Sequence, residues 1–196
     1  RLAREVLAAY GHVDILVNNA GLGDIGLFER AAWAKLEQMI TVNVVSLTRL
    51  THLLLPPMLA RKRGGILNVS SGFGMTWLPG AAAYAGTKHY VTAFTESLAV
   101  ELADSGVVVS QLCPGPVPTE FEEVAGNPVG RPVPQIITVA PRRVAEEAVA
   151  GFSRGRAMIE PGFLIRTMVA LGIHTPRWLL RLVYRPMGSA LRKASA

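Results

Sequence analysis

Hydrophobic and polar positions follow two periods along the chain, and the places where the period switches mark its elements. Val13 to Val17 is a short apolar run between Gly11-His12 and Asn18-Asn19-Ala20-Gly21. Such a run predicts a strand buried on both faces, as in a parallel sheet. Ala31 to Lys62 follows a helical period instead, with Leu36, Met39, Ile40, Val44, Leu47, Leu50 and Leu54 recurring at three- and four-residue spacing. Pro56-Pro57 is expected to bend or interrupt that helix. Arg61-Lys62-Arg63 suits the negative end of its dipole, and Gly64-Gly65 stops it. Ile66 to Val69 reads as a second strand, Ala81 to Leu102 as a second long helix ended by Ser105-Gly106, and Val107 to Leu112 as a third buried strand. Arg142 to Phe152 reads as a short helix after Pro141, and Ala157 to Glu160 as a last short strand. Alternating strands and helices of these lengths predict a parallel sheet with helices on both faces.

Ligands of such sheets sit beyond the carboxyl ends of the strands. Here those ends are Asn18-Asn19-Ala20-Gly21, Ser70-Ser71 and Cys113-Pro114-Gly115-Pro116, all polar or turn-forming. Gly21-Leu22-Gly23-Asp24-Ile25-Gly26 is a literal G-x-G-x-x-G after a strand. A dinucleotide fingerprint also needs an acidic residue at the end of a second strand about 20 residues on. Around Ser46 there is only a helical pattern, so an ordinary loop is the simpler reading. Pro114 to Pro134 is rich in proline and glycine without a period, which marks a candidate lid over the rim. Phe121, Val124 and Val133 within it, Ile136 and Ile137 just beyond it, and Trp77 point to an apolar substrate or serve as loop anchors.

Composition narrows the class. With 196 residues, half of them apolar, the chain has enough length for one domain with a sizeable core. Its one cysteine, Cys113 between Leu112 and Pro114, excludes an internal disulfide and a thiolate-rich zinc site. It suits a reducing, cytoplasmic setting, with the thiol buried and structural. No apolar run reaches the ~18 residues of a membrane span. Arg1 to Tyr10 reads as mid-helix with no cap before it, so a fragment lacking its true N-terminus is expected. The net charge of +6 is uneven: ten basic and eleven acidic residues precede Arg142, and ten basic and three acidic follow from it. That concentration of charge in the tail argues against nucleic acid as the partner of the whole domain.

The chemistry concentrates between Ser71 and Lys88. Tyr84 and Lys88 lie four positions apart in a helical pattern, so they share a face. An ammonium near a phenol favours the phenolate and lowers its pKa from about 10, which makes a general acid/base. Ser71, at the end of the preceding strand, can hydrogen-bond the same reacting oxygen. The plainer reading of Tyr-x-x-x-Lys is a solvated helix face. Asn43, amid Ile40, Val42, Val44 and Val45, is a poor helix former; it is either satisfied locally or placed for use.

Together these residues resemble the short-chain dehydrogenase/reductase family. The match is Asn18-Asn19-Ala20-Gly21 after a strand, Asn43 in the next helix, Ser71 thirteen positions before Tyr84, Tyr84-x-x-x-Lys88, and Pro114-Gly115-x-Val117-x-Thr119. The resemblance implies a Rossmann-like, doubly wound parallel sheet in three layers, with the first strands missing. It implies hydride transfer between an alcohol and a ketone or aldehyde, with NAD or NADP as cofactor and no metal. By position, Tyr84 moves a proton at the substrate oxygen, Ser71 polarises the carbonyl, Lys88 holds the nicotinamide ribose and lowers the pKa of Tyr84, and Asn43 holds a water linking Lys88 to solvent. Asn18, Asn19, Ala20 and Gly21 pack under the adenine side and tie the strands together. Pro114, Gly115, Val117 and Thr119 line the nicotinamide. A small apolar alcohol or carbonyl substrate and a homo-oligomer are expected. The family's glycine-rich phosphate turn and the residue that chooses between NAD and NADP have no counterpart here, so weak cofactor binding and poor folding are expected of this chain alone. Glu160-Pro161-Gly162 stands where many members carry Asp-Gly-Gly, a departure from the acyl-carrier-protein ketoreductases. A nucleotide-binding or membrane-surface scaffold without chemistry is the alternative.

Residues 1–162 are thus expected to form the partial nucleotide-binding domain and 163–196 a tail. Thr175-Pro176 is a good start for a helix. Arg177, Arg181 and Arg185 follow at four-residue spacing, with Trp178, Leu179, Leu182 and Val183 on other sides. A basic amphipathic helix of this kind lies on an anionic membrane surface, or covers a substrate pocket or a subunit partner.

Overall fold

The computed structural model describes residues 1–126 and 134–194, with only the backbone for Glu122 and Glu123. In chain order its elements are α1 (Leu2–Tyr10), β1 (Ile15–Asn18), α2 (Trp33–Ile40), α3 (Leu47–Ala60), β2 (Gly64–Val69), α4 (Ala82–Glu101), β3 (Val107–Leu112), α5 (Phe121–Ala125), α6 (Pro141–Ser153), β4 (Met158–Ile159), α7 (Phe163–His174) and α8 (Arg177–Ala194). The four strands form one parallel sheet in the order β1-β2-β3-β4. Neighbouring strands are joined through helices, so the strand ends gather on one rim.

Alternation along the central strands divides the core between the two faces. Ile66, Val107 and Val109 pack with Leu54 and Met58 of α3, Leu98 of α4 and Ala3 of α1. Leu67 and Leu112 point the other way, onto Val144 and Ala148 of α6. The result is the three-layer, Rossmann-like α/β arrangement expected from the sequence.

Three expectations change. β1 is not buried on both faces: Leu16 and Asn18 face the core, but Ile15 and Val17 are about half exposed (54% and 51%). It is the edge strand, and no described helix covers that side. The prolines do not interrupt α3, which runs through Pro56 and Pro57. His52 and Leu53 stand four residues earlier and are exposed. The carbonyls that a proline cannot bond therefore reach water. Finally, the helix from Trp33 to Ala60 is long and apolar enough to cross a membrane by length and composition (28 residues, with an 18-residue stretch of mean hydropathy 1.2). Polar residues break its apolar run, yet the average stays high. Its Leu36, Met39, Leu47, Leu54 and Met58 are buried in the domain.

Between α2 and α3 the backbone widens into a π-helical turn, Thr41–Ser46, with Asn43 at its buried centre. Such turns are frequent at functional sites.

Candidate active site

The site is assembled where β1, β2 and β3 end beneath the first turns of α4. Asn18 closes β1. Its amide donates to Asn68 Oδ1 (2.8 Å) on β2 and to Thr51 Oγ1 (3.2 Å) on α3. Asn68 in turn donates to Thr95 Oγ1 on α4 (2.9 Å). Asn18 is therefore a buried tie between two strands and two helices. Asn19 and Ala20 are exposed. Gly21 turns back toward the site: a Cβ there would lie 3.5 Å from both Asn43 Oδ1 and Lys88 Nζ.

Asn43 is satisfied at both ends of its amide. It accepts from the Leu22 N–H (2.8 Å) and donates to the Leu22 carbonyl (2.8 Å) and Thr87 Oγ1 (3.0 Å). It thereby fixes the loop after β1 against α4.

The two serines after β2 have different surroundings. Ser70 is buried, donating to the Lys88 carbonyl (3.1 Å) and bonded to Thr92 Oγ1 (2.8 Å). Gly74 packs directly on this pair, where any Cβ would collide. Ser71 is only half-buried. Its hydroxyl accepts from Phe73 N–H (3.2 Å), starting a short 3-10 turn, and it lies close enough to the Tyr84 phenol to pull its pKa down.

That pull is the weaker influence on Tyr84. Burial dominates and holds the phenol above its ordinary value. The ring packs edge-on to Phe73 (centroids 6.0 Å apart) and beside Phe121 of α5 (5.6 Å), in a cluster with Leu36, Met39 and Leu22. This corrects the expectation that Lys88 lowers the phenol's pKa. The Lys88 ammonium is 5.9 Å from the ring centroid and donates to the Val69 carbonyl (2.8 Å). Burial pulls Lys88 itself down to about 8, with a small opposite effect of Cys113. Desolvation, rather than any effect of one group on the other, sets the direction of both shifts. Cys113 is fully buried, bonded to Gln111 Oε1 (3.4 Å) and pushed up to about 12, chiefly by burial, as suits a structural thiol.

Beyond β3, the Pro114 carbonyl accepts from Gly72 N–H (2.9 Å), joining two strand ends. Gly115 lies against Ile165 of α7 so closely that a Cβ would overlap it. Val117 packs on the α6 side of the sheet. Thr119 is exposed, and its hydroxyl accepts from Phe121 N–H (3.3 Å) at the start of α5.

α5 closes over this rim. At Gly23 a Cβ would stand 2.6 Å from Phe121 Cζ and 2.8 Å from Ala125 Cβ. A cleft of about 450 Å³ lies beside it, lined by Gly21, Leu22, Thr119, Glu120, Phe121 and Val124. Tyr84, Ser71 and Lys88 do not line it; Phe121 stands between. Of the other lid residues, Ile136 is 80% exposed and Val133 falls outside the described residues. Trp77 does not face the phenol. It packs edge-on against Tyr184 of α8 (5.0 Å).

A nicotinamide dinucleotide is the group to test against these residues. The Lys88 ammonium beside Gly21 and the hydroxyls of Ser71 and Tyr84 suit a nicotinamide-ribose end, which reaches them from the cleft only if Phe121 moves aside. Gly21 to Gly26 does not form a phosphate cradle. It leads to a three-residue 3-10 turn, Phe28–Arg30, rather than to an α-helix N-terminus, and Gly23 is packed under Phe121.

Sequence reasoning missed Asn68, Thr51, Thr87 and Thr92. A polar Asn68 inside the apolar run Ile66–Val69 was a readable signal; the threonines on α4 look like surface positions until the sheet is in place.

The family model described as short chain dehydrogenase matches residues 1–128. The chain is 43% identical to the oxidoreductase UcpA of Escherichia coli over 114 residues, 58% of this chain and 43% of that protein. It is 40% identical to retinol dehydrogenase 8 of Bos taurus over 112 residues, 57% of this chain and 36% of the relative. It thus spans about two fifths of the length of these curated relatives. Among solved structures, a short-chain dehydrogenase from Sphingobium yanoikuyae in complex with NADPH superposes with a TM-score of 0.74 at 26% identity, over 90% of this chain and 71% of that one. The chain belongs to the short-chain dehydrogenase family.

Proposed function

We propose that this chain carries the catalytic half of an NAD(P)-dependent oxidoreductase that interconverts a small apolar alcohol and its ketone or aldehyde. The supporting observation is the convergence of Ser71 and Tyr84 on one rim while Ser70 is tied beneath α4. When bound, the nicotinamide supplies or accepts the hydride. Tyr84 donates a proton to the substrate oxygen in reduction, or takes it in oxidation. Its raised pKa keeps the phenol protonated at neutral pH, ready to donate. Ser71 donates a hydrogen bond to the same oxygen as charge develops there. Lys88 holds the nicotinamide ribose once its ammonium leaves the Val69 carbonyl, and then also favours the phenolate. Asn43 keeps the Leu22 loop in register with α4 and provides the place for a proton-relay water. Gly21, Pro114, Gly115, Val117 and Thr119 border the cofactor, with Asn18, Asn19 and Ala20 below its adenine side. For this to happen α5 swings away, because Phe121 covers the phenol.

The similarity to a retinol dehydrogenase and the apolar Phe73 and Phe121 support an apolar substrate. Tyr84→Phe in the whole protein is expected to lower turnover about 10²–10⁴-fold while NAD(P)H binding, followed by fluorescence, is retained. Undiminished turnover would remove Tyr84 from the acid/base role. Turnover absent from the unmodified protein across alcohols and carbonyls would favour a scaffold, a reading that the covered phenol supports.

A further inference from the structure

We propose that the outer face of α7 and α8 is a dock for an anionic lipid bilayer. The tail is fastened to the domain along one stripe only. Ile165 and Val169 of α7 and Leu191 of α8 are buried, and Tyr184 meets Trp77. On a helix of 3.6 residues per turn, Leu180, Tyr184 and Leu191 take the inner face of α8. Trp178, Leu182, Val183 and Met187 are left outside, 67%, 62%, 59% and 43% exposed. An exposed aromatic and three exposed aliphatic side chains on one helix form a patch that the fold itself does not use.

Charge selects the occupant. Residues 163–196 hold six basic residues and no acidic one. Arg177, Arg181 and Arg185 form a stripe along one flank of α8, and no ion pair joins them to the described residues; Arg192, further on, pairs with Glu29 (2.6 Å). An apolar face edged by arginines fits the boundary between acyl chains and anionic headgroups. A second copy of the chain fits it less well, because a two-fold contact sets the arginine stripe against itself. A soluble polyanion would leave the apolar face unmatched. Arginines along the flank, with Pro186 in the middle, make α8 a helix that lies on a bilayer rather than one that spans it.

Docking has a consequence for the site. α7 and α8 both rest on the segment between Ser71 and Ala81: Gly72 lies under Val169, Gly80 under Leu191 and Trp77 beside Tyr184. Seating the outer face on lipid places this segment, and Ser71 at its start, one helix diameter (~10 Å) from the bilayer surface.

The test is flotation of the whole protein with phosphatidylcholine vesicles, with and without phosphatidylserine. Binding is expected to be at least about tenfold stronger with phosphatidylserine and to fall in high salt. Quenching of tryptophan fluorescence by brominated lipid is expected in the unmodified chain and to weaken in Trp178→Phe. Replacing Arg177, Arg181 and Arg185 by glutamate is expected to abolish flotation, as is Leu182→Ser with Val183→Ser, each with an unchanged circular dichroism spectrum. The proposal is overturned if the unmodified chain ignores phosphatidylserine, or if the serine pair floats as well as the parent. It is equally overturned if the tail substitutions dissolve a dimer instead of a vesicle complex. None of these readouts requires turnover, so they stand apart from the oxidoreductase reading.

Discussion

The rim around Tyr84 and the tail formed by α7 and α8 are built on opposite principles. At the rim, polar groups are buried and nearly every one has a partner: Asn18 with Asn68, Asn68 with Thr95, Asn43 with Leu22 and Thr87, Ser70 with Thr92. On the tail, apolar groups are exposed and charges stand in water. A buried polar network is unforgiving, because one missing partner leaves another group desolvated and unmatched. A solvated amphipathic helix tolerates change, since each exposed contact contributes little. The contrast locates the fixed geometry that acid/base chemistry needs in one place and a replaceable contact surface in the other.

The largest stability difference should appear at Asn43. Asn43→Ala removes three hydrogen bonds and orphans both polar groups of Leu22. A loss of about 3 kcal/mol is expected in urea unfolding, with faster hydrogen exchange in the loop after β1. A loss below about 0.5 kcal/mol would mean that water replaces the amide freely, and the rim would not be the rigid half of the molecule.

Much of this architecture was legible because it is written in runs. Apolar stretches marked β2 and β3, Gly64-Gly65 and Ser105-Gly106 marked where they start, and the thirteen-residue interval between Ser71 and Tyr84 brought the pair onto one rim. What was not legible depends on neighbours distant in sequence. Asn18 and Asn68 are fifty residues apart and meet only through the register of β1 and β2. The exposure of Ile15 and Val17 follows from which element lies beside β1, not from their own types. The spacing of Tyr84 and Lys88 placed them together, but the direction of the tyrosine's shift depended on Phe73 and Phe121, which remove water from the phenol. Local pattern reports adjacency well and desolvation poorly.

The buried Lys88 gives an intermediate effect with a definite sign. Its pKa is about 8 in the fold against a reference near 10.4 unfolded. Between those values the unfolded chain holds a proton that the folded one has lost, so Lys88 makes stability rise with pH. Cys113 works in the other direction. Its folded value of about 12 means that above about pH 8.5–9 the folded chain keeps a proton that the unfolded one loses. Tyr84, also raised, adds to this fall above about pH 10. Unfolding free energy is therefore expected to rise by a few tenths of a kcal/mol between pH 8 and 9, where the Lys88 gain of roughly 1 kcal/mol is partly offset by Cys113, then flatten, and fall beyond about 10.5. Lys88→Met should erase the rise and keep the fall. A parent protein whose stability declines steadily from pH 8 would show that the ammonium is solvated.

The smallest effect belongs to the tail. Arg192 meets Glu29 at 2.6 Å, the ion pair that ties α8 to the loop before α2. Glu29 is nevertheless about half exposed (52%), and its carboxyl is held below its ordinary value chiefly by its own backbone and then by Arg192. A pair so exposed is screened by salt and contributes little. Glu29→Gln should leave the urea midpoint unchanged and should slightly increase hydrogen exchange in the last turns of α8 alone. If the midpoint falls clearly, the tail is held by charge and belongs to the cooperative core. If it holds while exchange quickens along α8, the attachment rests on Leu191 and Tyr184, and the outer face is free to meet another surface without disturbing Asn43 or Tyr84.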